Sequence, residues 1–262
     1  MFTGTVPTEI QNLDLLRLQL QNNLLEGTLP LSLYDNTNLK ELRLDNNMFE
    51  GSLSPLLGSL TQLEDLRISS NSFSGELPNN FAALTSLGKF SNIPSFFVRA
   101  FPLTFVITEI LAMRDNDLRG PIRNLFQNFL SLEFADFGMN MFTGPLPTSI
   151  FDLPNIRILY FFDNQLTGTI PPNFGNSTVL RDLYLHNNSL TGRVPSIGVG
   201  KLPVFTEFRI EFNDITGTIP ASICALRGAN QTVDLVTLHA DCGGTEPEVR
   251  CDSDCCTKCF PE

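Results

Sequence analysis

Asparagine recurs at Asn23, Asn47, Asn71, Asn116, Asn140, Asn164, Asn188 and Asn213, at successive intervals of 24, 24, 45, 24, 24, 24 and 25 residues. Such a period constrains the fold more than any local propensity, because each unit is too short to close a core alone and must stack on its neighbours. Apolar residues stand three, five and eight positions before each asparagine except Asn116, where Thr108 takes the eighth, as Leu39, Leu42 and Leu44 do before Asn47, and Leu180, Leu183 and Leu185 before Asn188. The Leu-x-Leu step predicts a short strand with one buried face, and a glycine four residues after each asparagine, followed by a proline, marks a turn. The stack is then a solenoid of about nine coils with the leucines in buried ladders. An unpaired buried amide would cost about 1–3 kcal/mol, so the asparagines are expected to bond the backbone of adjacent coils and to be structural.

The unit LxxLxLxxNxLxGxIP resembles the plant-type leucine-rich repeat, which builds receptor ectodomains, the outer halves of receptor-like kinases and polygalacturonase-inhibitor-like proteins. The resemblance covers residues 1–226 apart from 88–108. It implies an α/β solenoid with a parallel β-sheet on the concave face and turns and 3-10 segments on the convex side. It implies less about function, since one scaffold serves many ligands.

The 45-residue interval equals 24 plus 21, and the surplus is GKFSNIPSFFVRAFPLTFVIT, residues 88–108. With it removed the chain reads LTSLEILAMRDNDLRGPI, and Leu87 falls eight positions before Asn116. One reading is a degenerate repeat, with Leu87, Phe90, Asn92, Phe97 and Phe101-Pro102 in the expected slots and Ser95 in place of the asparagine. The other is a retained intron. Gly-Lys can be encoded GGTAAG, which holds a splice donor, and Thr-Glu can be encoded ACAGAA, which holds an acceptor. The register restored on excision favours the intron.

With 28 Asp and Glu against 17 Lys and Arg, the formal charge is -11, which offers no footprint for nucleic acid or anionic lipid. No uninterrupted apolar run approaches the roughly 18 residues of a membrane span, and the first residues lack the basic start and apolar core of a secretory signal. MFTGTVPTEI matches MFTGPLPTSI at 141–150, so the chain starts in mid-repeat and a signal, an N-terminal cap or a membrane anchor is expected upstream.

All six cysteines, Cys224, Cys242, Cys251, Cys255, Cys256 and Cys259, follow the last full repeat. An even number confined to a terminal segment reads as a disulfide-stapled cap over 227–262, with 15 possible pairings; a zinc cluster on CxxxCCxxC is the rival. The cap resembles the cysteine-rich ends of leucine-rich repeat proteins of some unicellular algae and differs from the spaced cysteine pairs of land-plant receptors. Disulfides, with glycosylation sequons at Asn176, Asn187 and Asn230, point to an extracellular or cell-surface location.

The x positions of LxxLxL face the concave side. The first three coils present Arg17, Gln19 and Gln21, then Glu41, Arg43 and Asp45, then Asp65, Arg67 and Ser69, which reads as a charged, solvated surface. The middle coils present Ile110, Ala112 and Arg114, then Phe134, Asp136 and Gly138, then Ile158, Tyr160 and Phe162, then Asp182, Tyr184 and His186; polarity returns with Glu207, Arg209 and Glu211. At about 4.8 Å between strands these form an aromatic patch roughly 15 Å long, and polar-rimmed apolar patches mark binding surfaces. The candidate ligand-binding residues are Ile110, Phe134, Asp136, Ile158, Tyr160, Phe162, Asp182, Tyr184 and His186.

The two histidines, His186 and His239, belong to no nucleophile or metal motif, and a His186–Asp182 pair on one strand reads as solvated surface. No catalytic role and no cofactor is therefore expected. The sequence reads as a non-catalytic recognition module for a protein, peptide or glycan, and the resemblance implies the ectodomain of a receptor-like protein. The alternative is a secreted inhibitor of a hydrolase.

Overall fold

A computed structural model describes residues 1–87, 110–123, 125–198, 200–227, 235–243, 248–251 and 255–261. Each Leu-x-Leu step forms a three-residue strand, and the strands Arg17–Gln19, Glu41–Arg43, Asp65–Arg67, Ile110–Ala112, Phe134–Asp136, Ile158–Tyr160, Asp182–Tyr184 and Glu207–Arg209 pair in parallel in chain order. Registry is set by the buried column of Leu42, Leu66, Leu111, Ala135, Leu159, Leu183, Phe208 and Leu238, each in line with the next. A slip of one residue would expose that whole column, which holds the sheet in place.

Convex-side 3-10 turns are present as expected, at Thr8–Asn12, Leu31–Asp35, Pro55–Ser59, Asn79–Ala83, Thr148–Asp152 and Pro172–Asn176. Pro7, Pro30, Pro78, Pro147 and Pro171 each sit directly before a 3-10 turn, with φ between -73 and -64, the value the ring imposes. Where Ser54 replaces proline, its hydroxyl caps the turn by accepting from the Leu56 N–H at 3.1 Å.

The stretch after each asparagine does more than turn. Thr3–Gly4, Leu24–Gly27, Met48–Ser52, Ser72–Gly75, Asp117–Pro121, Met141–Gly144, Gln165–Gly168, Ser189–Gly192 and Asp214–Ile215 form a second, nine-stranded parallel sheet. Sequence reading took these residues for turn chemistry because each strand is short and has a glycine with positive φ at or near its end. At Gly51 that glycine also admits the neighbouring coil, since a Cβ would lie 2.8 Å from Thr28 Cγ2.

Between the two sheets stand the asparagines. Asn164 donates through Nδ2 to the carbonyls of Phe137 at 2.9 Å and Phe161 at 3.1 Å, and its Oδ1 accepts the Phe142 N–H at 2.9 Å. The same three bonds recur at Asn47, Asn71, Asn116, Asn140, Asn188 and Asn213. Asn23, in the first coil, bonds its own carbonyls and the Phe2 N–H. Each amide thus satisfies two buried carbonyls and one N–H that neither sheet supplies.

The coils on either side of residues 88–109 bond each other directly. Leu66 is in register with Leu111 and Ser74 with Asp117, and Asn116 Oδ1 accepts the Phe73 N–H across the junction. The alternatives for 88–108, degenerate repeat or retained intron, fall outside the described residues.

The concave sheet does not stop at residue 226. Thr237–Ala240 and Lys258–Cys259, both from the cysteine-rich cap, add two further strands, so this sheet has ten. Disulfides Cys224–Cys255, Cys242–Cys259 and Cys251–Cys256 hold the cap. No helix among the described residues is long and apolar enough to cross a membrane.

Replacing Asn116 by alanine leaves the Ile68 and Met113 carbonyls and the Phe73 N–H without this partner. The expected cost is about 3 kcal/mol of unfolding free energy, measured by urea denaturation.

Candidate functional site

The three-residue strands carry their outward side chains in columns about 4.8 Å apart, close enough for long side chains on neighbouring coils to touch. At the start of the sheet they pair. Arg43 lies 2.7 Å from Glu41 and 2.8 Å from Asp65, Arg67 lies 2.9 Å from Asp65, and Arg17 lies 3.6 Å from Glu41. Glu41 and Asp65 are only 1% and 2% exposed. The solvated charged face expected here is instead an interlocked strip whose carboxylates are covered and neutralised by arginine.

The middle coils bound a groove of about 560 Å³. Seven of the nine candidate residues line it: Phe134, Asp136, Tyr160, Phe162, Asp182, Tyr184 and His186. Ile110, half-buried, does not, and Ile158 sits in register between Phe134 and Asp182 and is 2% exposed. Arg114, Glu207 and Arg209 complete the lining as the polar rim, together with Arg181. Arg181 escaped the sequence reading because it precedes its strand and so falls outside the three-position rows.

Aromatic side chains are organised in two runs. Tyr160 and Tyr184 stack at 4.4 Å, and Phe134 meets Tyr160 edge-on at 5.7 Å. Beside them Phe162 lies flat on His186, with ring centroids 4.9 Å apart and planes 4° from parallel, while the Arg114 guanidinium covers the Phe162 ring at 4.9 Å. Gly138 makes room for this, since a Cβ there would lie 2.6 Å from Phe162 Cε1. The patch is therefore less open than its sequence suggested, with Phe162 and His186 each 7% exposed.

His186 does not pair with Asp182. Asp182 accepts from the Thr206 hydroxyl at 2.7 Å and lies 3.5 Å from Arg181, whereas His186 Nδ1 is buried with no hydrogen-bond partner among the described residues. Burial, and then Arg209, hold the His186 imidazole down at about 4, so it is neutral near pH 7. Asp136 accepts the Gly138 N–H at 2.9 Å and is 6% exposed. Burial pushes its carboxyl up to about 6 against the pull of that N–H and of Arg114, and burial likewise raises Asp182 to about 6. The Tyr160 and Tyr184 hydroxyls are raised by burial and by nearby acids, and both stay protonated. Tyr184 donates to Glu207, and Arg209 pairs with Glu211 while covering Tyr184 at 5.4 Å.

The cap reaches this face as well. His239 is in register with Arg209 and its Nδ1 lies 3.7 Å from Glu211. Its strand residues Leu235, Leu238 and Ala240 repeat the apolar spacing of the coils, a signal that the missing downstream asparagine obscured. Of the sequons, Asn176 and Asn187 are exposed, and Asn187 bonds Asp163; Asn230 falls outside the described residues.

The buried carboxyl of Asp136 has a pH signature. Its folded pKa of about 6 lies above the ordinary 3.8, so folding favours the protonated form, and its penalty is absent below pH 3.8, grows up to pH 6 and is complete above. Asp136→Asn is expected to raise stability at pH 7 by about 1–3 kcal/mol and to change it little at pH 4, measured by urea unfolding at both values.

The family model described as Leucine Rich Repeat matches residues 38–60, 62–84 and 155–177. No protein with a curated description matches the chain. Among solved structures, the plant peptide hormone receptor RGFR1 in complex with RGF2 is 32% identical over 85% of this chain and 32% of that one, with a TM-score of 0.74. The ectodomain of the Arabidopsis thaliana membrane receptor kinase GASSHO1/SCHENGEN3, in complex with CASPARIAN STRIP INTEGRITY FACTOR 2, is 30% identical over 95% of this chain and 26% of that one, with a TM-score of 0.76. The Arabidopsis receptor kinase HAESA, in complex with the peptide hormone IDA and the co-receptor SERK1, is 29% identical over 85% of this chain and 34% of that one, with a TM-score of 0.71. The chain thus spans between 26% and 34% of the length of these three. By its repeats and its fold, the chain is a leucine-rich repeat solenoid with a disulfide-bonded C-terminal cap.

Proposed function

We propose that this chain is a non-catalytic recognition module that binds a peptide in the groove on its concave face, as the ectodomain of a receptor-like protein outside the cell. The observation that carries the reading is the groove itself, in which stacked aromatic rings lie between Arg114 at one end and Arg209 at the other. A preformed surface with aromatic anchors and a polar rim is what extended ligands need, because little ordering accompanies binding. Similarity to ectodomains solved with peptide hormones supports a peptide over other ligand classes. Three disulfides support an oxidising compartment.

Chemistry in the groove favours recognition over turnover. His186 stacks on Phe162, with no hydrogen-bond partner for its Nδ1 among the described residues, and the Asp182 carboxylate is committed to Thr206 and Arg181. The tyrosine hydroxyls resist ionisation. These groups suit hydrogen bonding and stacking.

Selection of a displayed random peptide library against the chain tests the reading. Enriched peptides are expected to lose at least about tenfold in affinity for Tyr160→Ala, the cost of one aromatic anchor. Failure of any peptide to enrich, or unchanged binding to Tyr160→Ala, would overturn it.

A further inference from the structure

Four carboxylates stand on or beside the groove, and three have side-chain partners, two of them cationic. Asp182 has the Thr206 hydroxyl and the Arg181 cation, Glu211 has the Arg209 cation, and Glu207, less covered than Asp136, has the neutral Tyr184 hydroxyl. Asp136 is different. One of its oxygens accepts the Gly138 N–H, and among the described residues no cation lies within ion-pair distance of either oxygen. The nearby guanidinium of Arg114 is turned to the Phe162 ring and to Met139 Sδ at 3.3 Å instead. A carboxylate this deeply covered is costly without a counter-charge.

The surroundings complete a subsite. Phe134 and Tyr160 meet at 84° in the groove next to Asp136, and their rings form an apolar corner with π density. Tyr160 also stands in a negative field from Asp182, Glu207 and Asp136. A carboxylate set against an aromatic corner suits a long apolar stem ending in a positive charge, which joins an ion pair to a cation–π contact. We infer that the Asp136, Phe134 and Tyr160 end of the groove is a subsite for a cationic side chain, an arginine or lysine of the bound peptide. This rests on the reading of the groove as a ligand site and adds to it the charge of the residue selected there.

Three blocked tripeptides separate the two claims: acetyl-Gly-Arg-Gly-amide, acetyl-Gly-Leu-Gly-amide and acetyl-Gly-Glu-Gly-amide. Each is titrated into the whole chain labelled at tyrosine, where Tyr160 and Tyr184 report on the groove and Tyr34, the third tyrosine, is an internal control. The arginine peptide is expected to move the Tyr160 and Tyr184 resonances, to leave Tyr34 in place, and to bind about tenfold tighter than the other two. Asp136→Asn is expected to reduce it to the level of the leucine peptide. Equal binding of all three, or an arginine preference that survives Asp136→Asn, overturns the subsite and leaves the groove reading standing. Preference for the glutamate peptide also overturns it and moves the recognition to the rim arginines. No shift with any peptide removes both claims. The ranking on the unmodified chain decides the matter even if the variant folds poorly.

Discussion

Everything in this molecule depends on an amide that reaches backward. The concave strands of the coils are three residues long, those of the second sheet two to five, and the turns a single 3-10 loop, so no coil can satisfy its own backbone. Asn47, Asn71, Asn116, Asn140, Asn164, Asn188 and Asn213 each tie a carbonyl and an N–H of the preceding coil to a carbonyl of their own. Because these groups are buried, the alternative to the asparagine is an unsatisfied backbone rather than a hydrated one. The leucine columns supply the driving force, and the amide dictates where the next coil must sit.

That division of labour explains what could be read in advance. A period of 24 with leucines at fixed offsets is an arithmetic property of the chain, and the buried columns and the first sheet follow from it. The second sheet was hidden because its residues look like turn formers, and only contact with the adjacent coil makes Leu24–Gly27 or Gln165–Gly168 a strand. Cap strands were hidden for a related reason. Thr237–Ala240 keeps the apolar spacing but lacks an asparagine, and Lys258–Cys259 is placed by the Cys242 disulfide and by pairing with His239. Neither kind of contact has a sequence period.

The groove was half legible. Which side chains point outward follows from alternation, and seven of the nine named residues meet there. How far each is covered does not follow, since it depends on what its neighbours one and two coils away do. Gly138 lets Phe162 lie down, Arg114 closes over it, and a surface aromatic becomes a covered one. In the first coils the same cross-strand reach turns alternating charges into an ion-paired strip, leaving the middle coils as the part of this face where unlike chemistry meets.

One residue of the cap shows how such a stack is brought to a close. In each coil the two N–H groups at the bend donate to carbonyls of the following coil, as Asn187 and Asn188 do to Glu211 and Phe212. At Phe212 and Asn213 the acceptors change: both N–H groups meet the two oxygens of the Asp241 carboxylate, at 2.8 Å and 3.1 Å. A single carboxylate thus stands in for a pair of peptide carbonyls and accepts from both N–H groups, a charge-assisted acceptor that no backbone could offer. The repeat is open-ended by construction, and while the concave sheet runs on into the cap, the chain of donors at the bend ends here on one side chain.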